Sequence, residues 1–153
     1  MLTYKRALSL AGSEHALMAG CRIHRVPTEL YGHHLPARVY GHEAFLCPFL
    51  RVLAGRRELI RSWGGCFEVR KVRGGRAISM HSAGLAADLN HHVWPLGRPV
   101  VLYREDFDAL VEAMAVEGID NGGGWTRPDP MHFQASELLF REWLASPEKF
   151  SSF

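Results

Sequence analysis

Two short stretches of this chain carry the residues that decide its fold and its chemistry. They read SMHSAGLAAD, at Ser79–Asp88, and WTRPDPMHFQ, at Trp125–Gln134. Together they supply two imidazoles and two carboxylates. A catalytic zinc site uses such a set, with three protein ligands, one open position and a nearby base. The two stretches therefore indicate a metallohydrolase.

Each stretch contains the alternation that is typical of a β-strand. A strand over Leu85–Asn90 places its leucines on one face and Asp88 on the other. A strand over Met131–Ala135 likewise places its large apolar residues opposite His132 and Gln134. Asp88 and His132 are thus both predicted on the polar face of a short strand, turned toward a cleft or solvent.

The chemical roles follow from these residue types. Neutral imidazoles and a carboxylate bind zinc at about 2.0–2.2 Å and leave a position for water. His81, Asp88 and His132 can supply these ligands. A further carboxylate must take a proton from the attacking water and hand it to the leaving amine. Asp129, which directly follows Pro128, can act as this base.

Neighbouring residues fit the same site. Gly84 allows a sharp reversal of the chain between the first two ligands. Ser79 or Gln134 can form hydrogen bonds that orient a ligand. One of three upstream arginines can bind a substrate carboxylate or stabilise an oxyanion, and the spacing does not say which. These arginines are Arg70, Arg73 and Arg76.

Periodicity predicts three helices elsewhere in the chain. Apolar residues recur at helical spacing over His42–Ala54, where Pro48 is expected to cause a kink or a later start. A second helix over Arg104–Glu117 has acidic residues in its first turn and stops at Gly118. A third, over Ser136–Ala145, begins with a serine cap.

The remaining segments give weaker patterns. Ser62–Val72 ends in a strand-like alternation over Cys66–Val72, and Gly74-Gly75 then turns the chain. Residues 1–41 show no sustained period, so we expect an irregular wrap there with one short helix near Tyr4–Ala11.

Composition sets the outer bounds. With 153 residues, 47% of them hydrophobic, the chain is long enough for one domain with its own core. The net charge is +2 and the basic residues are scattered, which argues against a nucleic-acid partner. Neither a signal peptide nor an apolar run of membrane-spanning length is evident. We therefore expect no membrane insertion and a cytoplasmic location at synthesis.

The cysteines, two pairs of histidines and one tryptophan can each be explained without a role in catalysis. Three widely spaced cysteines predict neither a disulfide framework nor a thiolate zinc site, and a thiol-protease pair of Cys66 with His81 is disfavoured. The adjacent pairs His33-His34 and His91-His92 are interpreted as loop or surface residues, with the alternative that one of these histidines lines the cleft. Trp125 either floors a substrate groove or closes the core.

The combined pattern resembles a known family. Ser-x-His-x-x-Gly-x-Ala-x-Asp, followed by Trp, Asp-x-x-His and Phe-Gln, is similar to the zinc D-alanyl-D-alanine carboxypeptidases of the vancomycin-resistance type. It is also similar to their relatives, the L-alanyl-D-glutamate endopeptidases among phage endolysins. The resemblance spans Cys66–Gln134. It implies an α+β fold in which a small central antiparallel sheet carries the zinc site and helices pack on one face, as in hedgehog-like and DD-peptidase-like domains.

Carried over residue by residue, the resemblance implies one zinc ion with three ligands, His81, Asp88 and His132. It implies Asp129 as the catalytic acid and base. Family members often have Glu at this position and some endolysins have Asp, so Asp129 favours the endolysin branch. The upstream arginine of the family most resembles Arg70 or Arg73.

The implied reaction is hydrolysis of a peptide bond in the stem peptide of bacterial peptidoglycan, either L-alanyl-D-glutamate or D-alanyl-D-alanine. We expect a monomer with one catalytic domain over residues 1–153 and no separate wall-binding domain. The expected lack of a signal peptide favours a phage-type lysin that a holin releases.

Two alternatives remain open at this stage. One is a cytoplasmic D-alanyl-D-alanine dipeptidase. The other is a non-catalytic zinc-containing binding module of the same fold, as in hedgehog-type relatives. Asp129 argues against the second, because a structural zinc site closes its fourth position with a protein ligand and needs no spare carboxylate.

Overall fold

Helices and short strands alternate along the chain. The structure, a computed structural model, describes residues 1–150. In chain order its elements are α1 (Tyr4–Ala11), α2 (Glu14–Met18), β1 (Cys21–Arg25), β2 (Arg38–His42), α3 (Glu43–Ala54), β3 (Trp63–Gly65), β4 (Ala86–Leu89), α4 (Arg104–Val116), β5 (Ile119–Gly122), β6 (Asp129–Ala135) and α5 (Glu137–Ala145). The predicted α+β class is confirmed.

A four-stranded antiparallel sheet brings the two sequence stretches together. Its strand order is β3-β4-β6-β5, so β4 and β6, which carry the motifs, lie at the centre. The register pairs Asp88 directly with His132. Directly paired residues project from the same face of a sheet. The sheet therefore places a carboxylate and an imidazole side by side although they are far apart in the sequence.

Helix α3 covers the face of the sheet opposite these polar groups. The ring of Phe49 on α3 lies 6.2 Å from the ring of Phe133, the neighbour of His132 on β6. Helix α3 runs without interruption through Pro48, so the later start considered for it is wrong. Proline removes only the one hydrogen bond that its own N–H would donate to Ala44, and burial of the apolar stripe outweighs that loss.

The other predicted helices are confirmed close to their expected ends. Helix α1 spans the predicted Tyr4–Ala11, α4 stops before Gly118, which has φ of +79°, and α5 follows the Ser136 cap. Within the described residues, no helix combines the length and the apolar content that a membrane span requires.

The prediction of an irregular wrap over residues 1–41 is wrong beyond α1. This region also contains α2 and a separate two-stranded sheet of β1 and β2, with Ile23 opposite Tyr40. Both of these side chains are exposed. The sequence did not predict these strands because they are short and rich in charged residues, and their outer face carries apolar side chains. Apolar and polar residues therefore do not alternate regularly.

The strand predicted within Cys66–Val72 is also misplaced. The regular strand is β3, which precedes it, and the later segment has only an isolated bridge between Lys71 and Ile78. The segment is instead held by single hydrogen bonds. Glu68 N donates to His81 O at 3.1 Å, and Ser79 N donates to Arg70 O at 2.9 Å. These bonds lay the arginine-bearing segment alongside the first motif.

Candidate functional site

His81 lies on a tight turn whose shape depends on its neighbours. The turn is a 3₁₀ helix, Met80–Ala83, and the Ser79 Oγ accepts a hydrogen bond from His81 N at 3.2 Å. Gly84 ends the turn with φ of +67°. A Cβ at Gly84 would lie 2.6 Å from the backbone nitrogen of His42. Only glycine fits there, which gives a physical reason for the reversal expected at this position.

The structure brings the three predicted ligands into one cluster. Asp88 Oδ1 lies 3.3 Å from His81 Nε2 and 3.4 Å from His132 Nδ1. All three donor atoms lie within 4.8 Å of one another. Ligand atoms about 2.1 Å from a tetrahedral zinc ion are about 3.4 Å apart. The two separations from Asp88 therefore match those between the ligands of one metal ion.

Burial of the cluster supports the same interpretation. Only 2% of His81, 7% of Asp88 and 6% of His132 is exposed. His81 Nε2 and Asp88 Oδ1 are buried without a hydrogen-bond partner among the described residues. A buried polar atom without a hydrogen-bond partner destabilises the folded protein. A bound metal ion would act as the missing partner of both atoms. Two imidazoles and a carboxylate fit zinc.

Hydrogen bonds on the outer side of each imidazole fix which nitrogen is free. His81 Nδ1 lies 2.6 Å from the Cys66 carbonyl oxygen, and His132 Nε2 lies 2.9 Å from Gln134 Oε1. Since these oxygens can only accept, the outer nitrogens must carry the protons. When the imidazoles are neutral, His81 Nε2 and His132 Nδ1, which face Asp88, therefore carry the lone pairs. This is the tautomer that each histidine needs to bind a metal.

Gln134 is itself held in place by the N-terminal segment. Its Nε2 donates to the Leu2 carbonyl oxygen at 2.7 Å, so its Oε1 must point at His132. Leu2 is 1% exposed and Gln134 is 2% exposed. A hydrogen-bond chain thus runs from Leu2 through Gln134 to His132. Both Gln134 and Ser79, the two residues expected to orient a ligand, bond to a histidine of the cluster.

We predict that Gln134→Met weakens zinc binding by about 10- to 100-fold, because such a loss follows removal of a hydrogen bond that orients a ligand. Competition with a chromogenic chelator measures the affinity. Gln134→Glu is the matched control, since it keeps an oxygen that accepts from His132 Nε2, and it should lose less affinity. Equal zinc affinity in Gln134→Met and the wild type would contradict this role.

The charges of the cluster are coupled. Burial alone would raise the pKa of the Asp88 carboxyl, but the two imidazoles hold that pKa well below its usual range. Burial alone would lower the pKa of His132, but Asp88 beside it produces a net rise. Without a metal, the pair therefore favours a proton on His132. A metal ion and that proton compete for the same nitrogen.

Asp129 stands apart from this cluster but opens on the same cavity. It begins β6 and lines a cavity of about 370 Å³ together with Asp88 and His132. Its Oδ1 is buried without a hydrogen-bond partner among the described residues. Burial, the largest influence, raises the pKa of Asp129. A carboxyl with a raised pKa at the edge of a metal site is suited to proton transfer.

Of the three upstream arginines, two reach this cavity. Arg70 and Arg73 line it, whereas Arg76 does not. Arg70 Nε is paired with Glu68 Oε2 at 3.1 Å, and only 20% of the Arg70 side chain is exposed. The Arg70 charge also acts on the Asp129 carboxyl and opposes the rise of its pKa. Arg70 is therefore the better fixed of the two cations.

Sequence patterns missed several residues that line the site. Arg127 lines the cavity and donates from Nη1 to the Arg73 carbonyl oxygen at 3.1 Å. Residues 1–4 form one wall, and no motif signals their presence. The Trp125 ring lies 5.3 Å from the His132 ring, which favours the groove interpretation of that tryptophan.

His91, interpreted as a loop or surface residue, lines a second cavity beside Asp88.

The disfavoured thiol-protease pair is absent from the described residues. All three cysteines are free, as expected. Burial raises the pKa of the Cys66 thiol, which disfavours the reactive thiolate. His81 contacts Cys66 through the backbone carbonyl instead of the sulfur.

A cluster of two histidines and an aspartate, carried by an antiparallel sheet and the turn before it, with a second carboxyl beside it, is typical of metallohydrolases. Residues 73–135 match the family model described as D-alanyl-D-alanine carboxypeptidase. The match spans both motifs and confirms the family resemblance drawn from them. Neither the curated proteins nor the solved structures gave a match.

Proposed function

We propose that this chain is a zinc metallopeptidase that hydrolyses a peptide bond in the stem peptide of bacterial peptidoglycan. The observation that carries the proposal is the buried cluster with donor atoms 3.3 and 3.4 Å apart and a separate buried carboxyl beside it. The family match supports the substrate class, because D-alanyl-D-alanine ends the uncleaved stem peptide.

In the proposed mechanism, His81, Asp88 and His132 hold one zinc ion. When bound, zinc polarises the scissile carbonyl and lowers the pKa of a coordinated water to about 7. Asp129 accepts a proton at its carboxylate and returns it to the leaving amine. Arg70, paired with Glu68, would stabilise negative charge on the substrate, and Arg73, which lines the same cavity, would supply a second cation.

Within this class, we propose a phage-type endolysin that cleaves either the L-alanyl-D-glutamate or the D-alanyl-D-alanine bond. The residue that supports this branch is Asp129, at a position where many carboxypeptidases have Glu. The two bonds share one feature that suits the site. In both, the leaving amine belongs to a D-amino acid with a free α-carboxylate, and Arg70, Arg73 and Arg127 line the cavity that holds Asp129.

Digestion of purified sacculi by the zinc-loaded protein tests the function, and mass analysis of the released fragments identifies the bond from its new termini. We expect soluble fragments that end at one of the two bonds. Free D-alanyl-D-alanine is the parallel substrate. Cleavage of this dipeptide without release from sacculi would replace the proposal with a dipeptidase. No cleavage of either by a protein with stoichiometric zinc would contradict the peptidase function.

A further inference from the structure

Two neighbouring cavities share Asp88 among their lining residues, and we describe them as the two arms of one cleft. The first is the cavity described above, which we call the Asp129 arm. The second, also about 370 Å³, includes Gly64, His91 and Pro95, and we call it the His91 arm. Arg73, Asp88, Leu96 and Met131 line both arms. A peptide bound across Asp88 would extend into both.

The position of Asp129 gives the direction of such a peptide. Asp129 lines the first arm and is absent from the lining of the second. The group that protonates a leaving amine must be within hydrogen-bond reach of that nitrogen. The leaving part of the substrate therefore extends into the Asp129 arm. The acyl part, which keeps the scissile carbonyl, extends into the His91 arm.

Hydrogen bonds to the buried Asn90 side chain fix the segment that carries His91. Asn90, which is 0% exposed and has φ of +57°, turns the chain directly after β4. Its Oδ1 accepts from Arg61 N at 2.6 Å and from Ser62 N at 3.0 Å. This anchor brings Ser62 next to His91, and Ser62 Oγ lies 3.4 Å from His91 Nδ1. The Nε2 of His91 is the ring nitrogen left for a ligand.

The floor of the His91 arm is kept open by a glycine. A Cβ at Gly64 would lie 2.9 Å from Asp88 Cβ and 3.3 Å from His91 Nδ1. Any side chain at this position would therefore fill the space between the metal ligand and His91. The resulting arm combines apolar residues with donors from His91 and Arg73, which suit carbonyl or carboxylate oxygens.

We propose that the His91 arm is the binding site for the acyl part of the substrate, with His91 donating a hydrogen bond to a carbonyl or carboxylate oxygen of that part. This inference rests on the proposed function for the identity of the peptide. His91 would then determine which acyl segment is accepted, and it would take no part in the proton transfer.

Titration calorimetry with cleavage products tests the proposal without requiring turnover. The acyl-side ligands are N-acetylmuramoyl-L-alanine and L-alanyl-γ-D-glutamyl-L-lysyl-D-alanine, one for each candidate bond, and the leaving-side ligand is D-alanine. We expect one acyl-side ligand to bind the wild type and His91→Ala to weaken it by about tenfold, the loss of one hydrogen bond. His91→Gln, which keeps an N–H donor, should recover part of the affinity. His15→Ala, at an exposed histidine that lines neither arm, should bind as the wild type does.

Three outcomes would overturn the inference: no binding of either acyl-side ligand to the wild type, equal binding by His91→Ala, or weakening that is confined to D-alanine. The sacculus digestion separates this result from the proposed function. A wild type that digests sacculi although His91→Ala binds normally would refute only the acyl-side site. A wild type that binds through His91 but digests nothing would refute the peptidase and leave the binding site.

Discussion

Asp129→Asn is expected to reduce kcat on sacculi by about 10²- to 10⁴-fold while the protein keeps stoichiometric zinc. The asparagine side chain has nearly the same shape but cannot accept a proton from water or return one to the leaving amine. Asp129 lies outside the cluster of three donors, so its replacement leaves the metal site intact. Fragment release from sacculi gives the rate, and elemental analysis gives the zinc content.

Asp120→Asn is a matched control for this experiment. Desolvation also raises the pKa of Asp120, but this residue does not line the Asp129 arm. It should retain wild-type activity. If Asp129→Asn kept its zinc and its full rate, another group would have to move the proton. If it lost its zinc, Asp129 would be a ligand, and the separation of roles between the two carboxylates would be wrong.

The fold was predictable where a local pattern coincides with burial. Helices α3, α4 and α5 each carry an apolar stripe and a clear start or stop, and β4 and β6 alternate because one face meets α3 and the other the cleft. Strands β1 and β2 were missed because both Ile23 and Tyr40 face outward. These two strands form through hydrogen bonds between segments that are separated in the sequence, and such pairing leaves no local pattern.

The residues of the candidate site that lie in the two motifs could be predicted from the sequence, whereas most of their contacts with the rest of the chain could not. His81, Asp88 and His132 could be grouped because metal chemistry restricts residue type and spacing. The carbonyl oxygens of Leu2 and Cys66, which bond to Gln134 and His81, belong to the backbone, so their side chains give no signal. His91 lies in a turn, as predicted, but its place beside Asp88 had no clear signal in the sequence. Its position follows from the conformation of Asn90, which exists only in the folded chain.

Zinc is expected to raise the Tm of this protein, and by more at about pH 8 than at about pH 6. Excess zinc at about a hundredfold its Kd adds about 2.7 kcal/mol to the free energy of unfolding, which corresponds to about 5–10 °C. The pKa of His132 is raised in the metal-free protein. The proton on His132 therefore stabilises the metal-free fold below the ordinary pKa of about 6.5, and this contribution is lost as the pH rises through the raised value. Zinc must displace that proton, so its stabilising effect grows with pH.

Thermal unfolding with zinc and with chelator, measured across this pH range, checks the prediction. His81→Ala should abolish the zinc-dependent shift at every pH, because it removes one of the three donors. His15→Ala, at an exposed histidine outside the cleft, should leave the shift unchanged. A shift that persists in His81→Ala would place the ion elsewhere in the protein. A shift that is independent of pH would mean that zinc displaces no proton, and would contradict the competition between the metal and His132.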